Sequence, residues 1–181
     1  MRRPAKRPKA RDDTRNLTME DVRKRTFERA VKLLAAKPRS IADLREKLLQ
    51  GQSANSSVVE SVISRLKEYG YLDDERFAFS YASLKVKQRA IGRRRLERDL
   101  KMKKVESNVV DEALGLVYAE TSEDELIDRA IEKRIKLRGK PQNRMEAKSL
   151  FDHLLRQGFP YDLVSQKVRA AVKVTDEDYA L

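Results

Sequence analysis

Cysteine is absent from the 181 residues, so the chain can form no disulfide, no thiolate nucleophile and no cysteine-based zinc site. Tryptophan is absent too, and aromatic residues make up only 6%. The single histidine, His153, excludes any site that needs two imidazoles and any Ser-His-Asp machinery elsewhere in the chain. No apolar run approaches the roughly 18 residues of a membrane span. The basic N-terminus lacks the apolar core of a secretory signal. No glycine-rich phosphate loop of either the P-loop or the dinucleotide type is present. These absences leave a soluble, cytoplasmic, non-enzymatic protein as the expectation, without membrane, metal or cofactor.

What the chain has in abundance is charge. Charged residues reach 39% and the net charge is +12, while a hydrophobic share of 40% still permits a core. The excess is unevenly placed. Residues 1–20 carry +4 and residues 85–104 carry +8, whereas 21–84 at +3 and 105–181 at −3 cancel. Residues 1–21, rich in Arg, Lys and Pro, are expected to form a disordered basic arm.

Apolar spacing predicts helices throughout. Thr18-Met19-Glu20-Asp21 resembles a capping box ahead of Val22, Ala30, Val31, Leu33 and Leu34. Pro38 ends that helix. Ser40 to Asp43 caps a second, bearing Leu44, Leu48 and Leu49 and closed by Gly51. Ser57 to Glu60 opens a third, with Val58, Val62, Ile63 and Leu66 inward and Gly70 at its end. Asp73-Asp74 starts a helix carrying Phe77, Tyr81 and Leu84. Gly92 precedes one with Leu96 and Leu100, and Val110, Ala113, Leu114 and Val117 mark the next. Ser122 to Glu125 opens a helix with Ile127, Ile131 and Ile135, which Gly139 and Pro141 break. Asn143 caps a helix bearing Leu150 and Leu154, Gly158-Phe159-Pro160 interrupts, and Val164 and Val168 line the last.

The pairs Leu44/Leu48, Leu96/Leu100 and Leu150/Leu154 are offset by 52 and then 54 residues. Ten and fourteen residues beyond each second leucine lie Val58/Val62, Val110/Leu114 and Val164/Val168. A period near fifty signals repeats. The expectation is an all-α fold of three tandem three-helix repeats over 22–72, 73–119 and 120–174, followed by an acidic tail at 175–181. Units of about 50 residues are marginal alone, so neighbours share faces in an elongated, curved array suited to binding along an extended partner.

The candidate binding element is the segment 85–104. Leu96 and Leu100 define the inner face of its helix, and Arg94, Arg98 and Lys101 fall on the outer side as a basic ridge. Lys87, Arg89, Arg93 and Arg95 add to it. Such ridges meet phosphates or acidic protein surfaces, and the residues do not distinguish the two. The aromatic group Tyr69, Tyr71, Phe77, Phe79 and Tyr81 reads as core packing, with Phe79 the member best placed for exposure. The acidic clusters at Asp73-Asp74-Glu75 and Glu120–Asp128 sit at helix N-termini, where the helix dipole explains them without a metal. His153 reads as a partly buried structural imidazole.

Gly70-Tyr71-Leu72-Asp73-Asp74-Glu75-Arg76-Phe77-Ala78 resembles the signature of the RecX family, the bacterial regulatory proteins of the recombinase RecA. Lys37-Pro38-Arg39-Ser40 with Asp43-Leu44 and Lys47-Leu48 resembles the first-repeat pattern of that family. Gly92 with Leu96 and Leu100 resembles the second, and Arg156-Gln157-Gly158-Phe159 the close of the third. The resemblance spans about Val22 to Val172. It implies three three-helix repeats, no catalytic residues, and binding to RecA and its filament on single-stranded DNA; the chain itself is expected to be a monomer. It further implies inhibition of ATPase and strand exchange, and hence a role in homologous recombination, DNA repair and the SOS response. A direct contact with DNA phosphates is a further implied possibility. The alternative is a stand-alone helix-turn-helix-like DNA-binding regulator. One departure concerns the turn after the second repeat's middle helix, where the family commonly has Lys-Gly-Ile and this chain has Lys103-Lys104-Val105. The change removes the glycine that a left-handed cap favours and adds positive charge.

Overall fold

The computed structural model describes residues 18–51 and 55–172. Of the expected basic arm 1–21, residues 1–17 lie outside these residues, as does the expected acidic tail, while 18–21 form the cap and first turn of a helix instead of an arm. Among the described residues there are nine α-helices and no strand: α1 (Met19–Ala36), α2 (Ile41–Leu49), α3 (Ser56–Glu68), α4 (Asp74–Gln88), α5 (Arg93–Met102), α6 (Ser107–Glu120), α7 (Glu123–Arg138), α8 (Arg144–Gln157) and α9 (Tyr161–Ala171). None is long and apolar enough to cross a membrane.

Local chemistry sets the helix starts. Thr18 and Asp21 exchange backbone and side-chain hydrogen bonds in a complete capping box. Ser40, Asp73, Ser122 and Asn143 each accept from the amide three residues on. α3 is capped by Asn55 rather than by the Ser57 expected from sequence. The leucine pairs and the aliphatic pairs spaced beyond them are buried in all three helix triplets.

Two compact units result. The first comprises the described residues up to Lys37 together with Leu44–Tyr71; the second comprises Pro38–Asp43 and the described residues from Leu72 onward. In the first, α1 packs on α3, and the Arg45 guanidinium holds both Glu60 carboxylate oxygens at 2.6 and 3.1 Å. On α1 the buried positions differ from those expected. Thr26 and Ala30 are buried, whereas Val31 is exposed. Thr26 tolerates burial because its hydroxyl donates to the Val22 carbonyl at 2.7 Å. Leu49 of α2 is likewise exposed.

In the second unit α4 and α5 pack on α6, and α7, α8 and α9 pack on one another. The buried face of α4 is Ala78, Ala82 and Val86, not the expected Phe77, Tyr81 and Leu84. Alanine has no bulk, so α6 can approach closely, and the rings of Phe77 and Tyr81 stack beside this seam with centroids 6.1 Å apart. Phe79, the expected exposed aromatic, packs partly buried against the same core. Leu84 faces outward.

A backbone-on-backbone contact joins α5 to the end of α8. The Gly92 amide donates to the Gln157 carbonyl at 2.9 Å, and the Arg94 amide to the Gly158 carbonyl at 3.3 Å. A Cβ on Gly92 would lie 2.4 Å from the Gly158 carbonyl, and a Cβ on Gly158 2.4 Å from the Arg95 nitrogen. Gly158 also holds φ 92° as the left-handed cap of α8. The remaining amide at this end of α5, that of Arg93, donates to the Glu123 carboxylate at 2.7 Å. The Tyr118 hydroxyl donates to the Ile91 carbonyl at 2.9 Å, and burial pushes its pKa far up.

The turn after α5 keeps its left-handed cap without glycine. Lys104 has φ 61°, its amide donates to the Lys101 carbonyl at 2.8 Å, and the Val105 amide reaches the Leu100 carbonyl at 3.3 Å. This is the hydrogen-bond pair of a Schellman motif, and Val105 is buried behind it. The buried Ser40 side chain donates to the Lys103 carbonyl at the same turn.

Three substitutions test this description in denaturant titrations. Gly92→Ala is expected to lower stability by about 2–4 kcal/mol, because its Cβ meets backbone that cannot swing aside. Gly115→Ala, with open space around it in α6, is expected to raise stability by about 0.5–1 kcal/mol. Lys104→Gly is expected to raise stability by about 0.5–1 kcal/mol, through relief of the left-handed strain.

Candidate functional site

α5 carries few apolar residues, and only Leu96 and Leu100 of its ten residues are buried. Packing those two leucines on α6 fixes the rotation of the helix and thereby the position of every charge on it. The ten basic residues of 85–104 then fall into distinct roles. Lys85 and Lys103 place their ammonium groups 5.4 and 5.0 Å from the Tyr81 ring centre. Arg95 donates from one guanidinium nitrogen to the Arg156 carbonyl at 3.3 Å and to Gln157 Oε1 at 3.1 Å. Arg93 reaches the Asp111 carbonyl at 3.5 Å. Lys101 pairs with Glu97 at 2.5 Å. That hydrogen bond raises the lysine pKa and lowers the carboxyl pKa, and Arg93 and Arg94 lower the carboxyl further.

Lys87, Arg89, Arg94 and Arg98 are exposed, and their side chains make no hydrogen bond or ion pair among the described residues. Arg94 and Arg98 stand one turn apart on the face of α5 away from the leucines. The basic ridge read from sequence is therefore narrower than its charge count. Arg93 and Arg95 are tied inward, Lys101 is half-neutralised, and four cations face solvent free of partners. The inward ties were invisible in sequence, because their partners lie 18, 30, 61 and 62 residues away.

The signature residues turn out to be architectural. Gly70 takes φ 70°, the Tyr71 amide donates to the Leu66 carbonyl at 2.9 Å, and Leu72 is buried. Asp73 caps α4 through the Arg76 amide at 2.9 Å. Asp74 accepts at 2.9 Å from the Ile41 amide, the first of α2. Phe77 stacks on Tyr81, and Arg76 is exposed. Tyr69 and Tyr71 are exposed, contrary to the core role expected for them. In the first unit the Arg65 guanidinium lies 5.7 Å from the Phe27 ring and 5.5 Å from the Tyr69 ring. His153 is half-buried on α8. No group of three or more metal-ligating side chains occurs among the described residues.

Among the described residues the chain is all-helical, in successive three-helix groups whose helix α5 exposes arginines, and this fold places it in the class of helical-repeat proteins. The comparisons with known proteins specify which. A family model described as "RecX, second three-helix domain" matches residues 73–114. The chain is 31% identical over 157 residues to "Regulatory protein RecX" of Bacillus licheniformis, covering 87% of this chain and 57% of that protein. It is 38% identical over 104 residues to the protein of the same name from Treponema pallidum, covering 58% of this chain and 63% of that one. The crystal structure of RecX from Lactobacillus salivarius superposes with a TM-score of 0.73 at 19% identity, covering 84% of this chain and 98% of the other. The chain belongs to the RecX family. It spans less than two thirds of the length of the Bacillus and Treponema relatives.

Charge reversal separates the two kinds of arginine. Arg94→Glu with Arg98→Glu is expected to leave the unfolding midpoint unchanged. Arg95→Ala is expected to cost about 1–2 kcal/mol, because it removes two hydrogen bonds and leaves their acceptors unpaired. Paired urea titrations check both.

Proposed function

We propose that this chain is a non-enzymatic regulator that binds the RecA recombinase and its single-stranded DNA filament, suppressing ATP hydrolysis and strand exchange. The observation that carries this reading is family membership, with one relative aligned across 87% of the chain and named as a regulatory protein. In this reading the partner meets the basic ridge of α5. Arg94 and Arg98 are the free cations there, and Lys101 is available at the cost of its pair with Glu97. Lys87 and Arg89 extend the positive field from the end of α4. Arg93 and Arg95 hold the ridge in place and act through position. The chain acts as a monomer in the cytoplasm, modulating homologous recombination and DNA repair, with no cofactor.

The test is recombinase ATPase on single-stranded DNA, with and without the full chain. Inhibition is expected at stoichiometric ratios. Arg94→Glu, Arg98→Glu and Lys101→Glu together are expected to weaken filament binding and to reduce its salt slope by up to about 2, at roughly 0.7 per lost phosphate contact. No inhibition, alongside tight sequence-specific duplex binding, would replace this reading with a stand-alone DNA-binding regulator.

A further inference from the structure

The segment 105–181 is net negative, yet the structure gathers arginines within it. Arg134 and Arg138 lie one turn apart on α7, the spacing that puts two side chains on one face. Ser149, His153 and Arg156 lie at successive intervals of four and three residues along one face of α8. The two rows meet where the Arg134 guanidinium donates to Ser149 Oγ at 3.1 Å. A cleft of about 250 Å³ opens at this meeting point, lined by Arg134, Arg138, Pro141, Glu146, Ser149 and Leu150 among others. Arg95 of α5 brings a fourth guanidinium to the Arg156 end of the row, through its bond to the Arg156 carbonyl.

The acidic side of the balance is thin. Arg134, Arg138 and Arg156 form no ion pair among the described residues. Glu146, the one carboxylate lining the cleft, is engaged in the cap of α8. It accepts from the Gln142 amide at 2.8 Å and from the Asn143 side chain at 3.1 Å. Like charges one turn apart repel, so this cluster stands at a cost that an anion would offset. Guanidinium forks suit oxyanions. A lone carboxylate meets one fork, whereas a chain of phosphates offers one charge per nucleotide and can meet three in succession.

We propose that Arg134 and Arg138 of α7, with His153 and Arg156 of α8, form a binding site for the phosphodiester backbone of a nucleic acid, starting at the cleft and running along α8. The site contains none of the free cations of the α5 ridge and does not rest on the recombinase reading. His153 reports on it. Burial first, then Arg134, Arg156, Arg138 and Arg95, hold the imidazole pKa below its usual 6.5. A phosphate seated among these arginines screens them and raises that pKa. As the only histidine in the chain, His153 gives ring-proton resonances that need no assignment by mutation.

The experiment is a pH titration of those resonances in the full chain, alone and with a short oligothymidylate, inorganic phosphate or polyglutamate. The oligonucleotide is expected to raise the His153 pKa by about half a pH unit or more, as removal of nearby like charge requires, and polyglutamate to leave it in place. A similar rise with inorganic phosphate supports the same phosphate chemistry from a smaller source. A rise with polyglutamate but not with oligonucleotide overturns the proposal in favour of an acidic protein partner. No movement with any of them overturns it outright.

Arg138→Glu with Arg156→Glu, both exposed, is expected to weaken oligothymidylate binding at low salt by about tenfold or more and to reduce the salt slope by about 1.4. Circular dichroism and the unfolding midpoint verify that this variant folds. Unchanged affinity in the folded variant also overturns the proposal. Loss of ATPase inhibition with an intact His153 shift, or the reverse, distinguishes failure here from failure of the recombinase reading.

Discussion

The second unit depends on a contact made without side chains. Gly92 and Gly158 bring the start of α5 and the end of α8 so close that neither tolerates a Cβ. Each helix supplies what the other lacks. α5 presents unpaired amides at its N-terminus and α8 presents unpaired carbonyls at its C-terminus, and the two sets satisfy each other. Glu123 takes the one amide that remains. With this end fixed, two leucines suffice to orient α5, and the rest of the helix is free to carry charge.

That division explains how so polar a helix is held rigidly. The arginines flanking Gly92 are as much struts as charges, since Arg95 crosses to α8 and Arg93 to the Asp111 carbonyl. The free cations Arg94 and Arg98 are thereby displayed on a supported surface, which suits recognition of a partner with fixed charge spacing. The same crossing of Arg95 brings α5 beside the arginines of α7 and α8. Arg95 thus comes together within one unit with arginines 39 to 61 positions further along the sequence, although their separate segments differ in net sign.

Much of this was legible in the sequence, because it is local. Capping residues, helix breaks and the recurrent leucine and valine pairs all announce themselves at short spacing, and the nine helices follow from them. What failed was size and distance. On α4, hydrophobicity pointed to Phe77, Tyr81 and Leu84, but close approach to α6 selects small Ala78 and Ala82 instead. On α1, a threonine took a buried place because its own backbone satisfied its hydroxyl. The glycine lost at position 104 suggested a lost cap, yet tertiary anchoring at Val105 and Ser40 holds a lysine in the left-handed region. The candidate site was legible as a charge count and not as a geometry. Which arginines are struts is decided by partners up to 62 residues away, and the second arginine cluster is diluted by acidic neighbours in sequence.

The left-handed Lys104 also bears on how the chain meets proteases. A chain with 41 lysines and arginines offers trypsin a cleavage point every few residues, and a protease must draw its substrate into an extended form. The Lys104–Val105 bond is closed to it by geometry: the first residue is curled at φ 61°, the second is buried, and both amides are hydrogen-bonded back to α5. Cutting at that bond therefore counts openings of the α5–α6 turn, which makes a common enzyme a clock for the motion of the helix that bears the ridge.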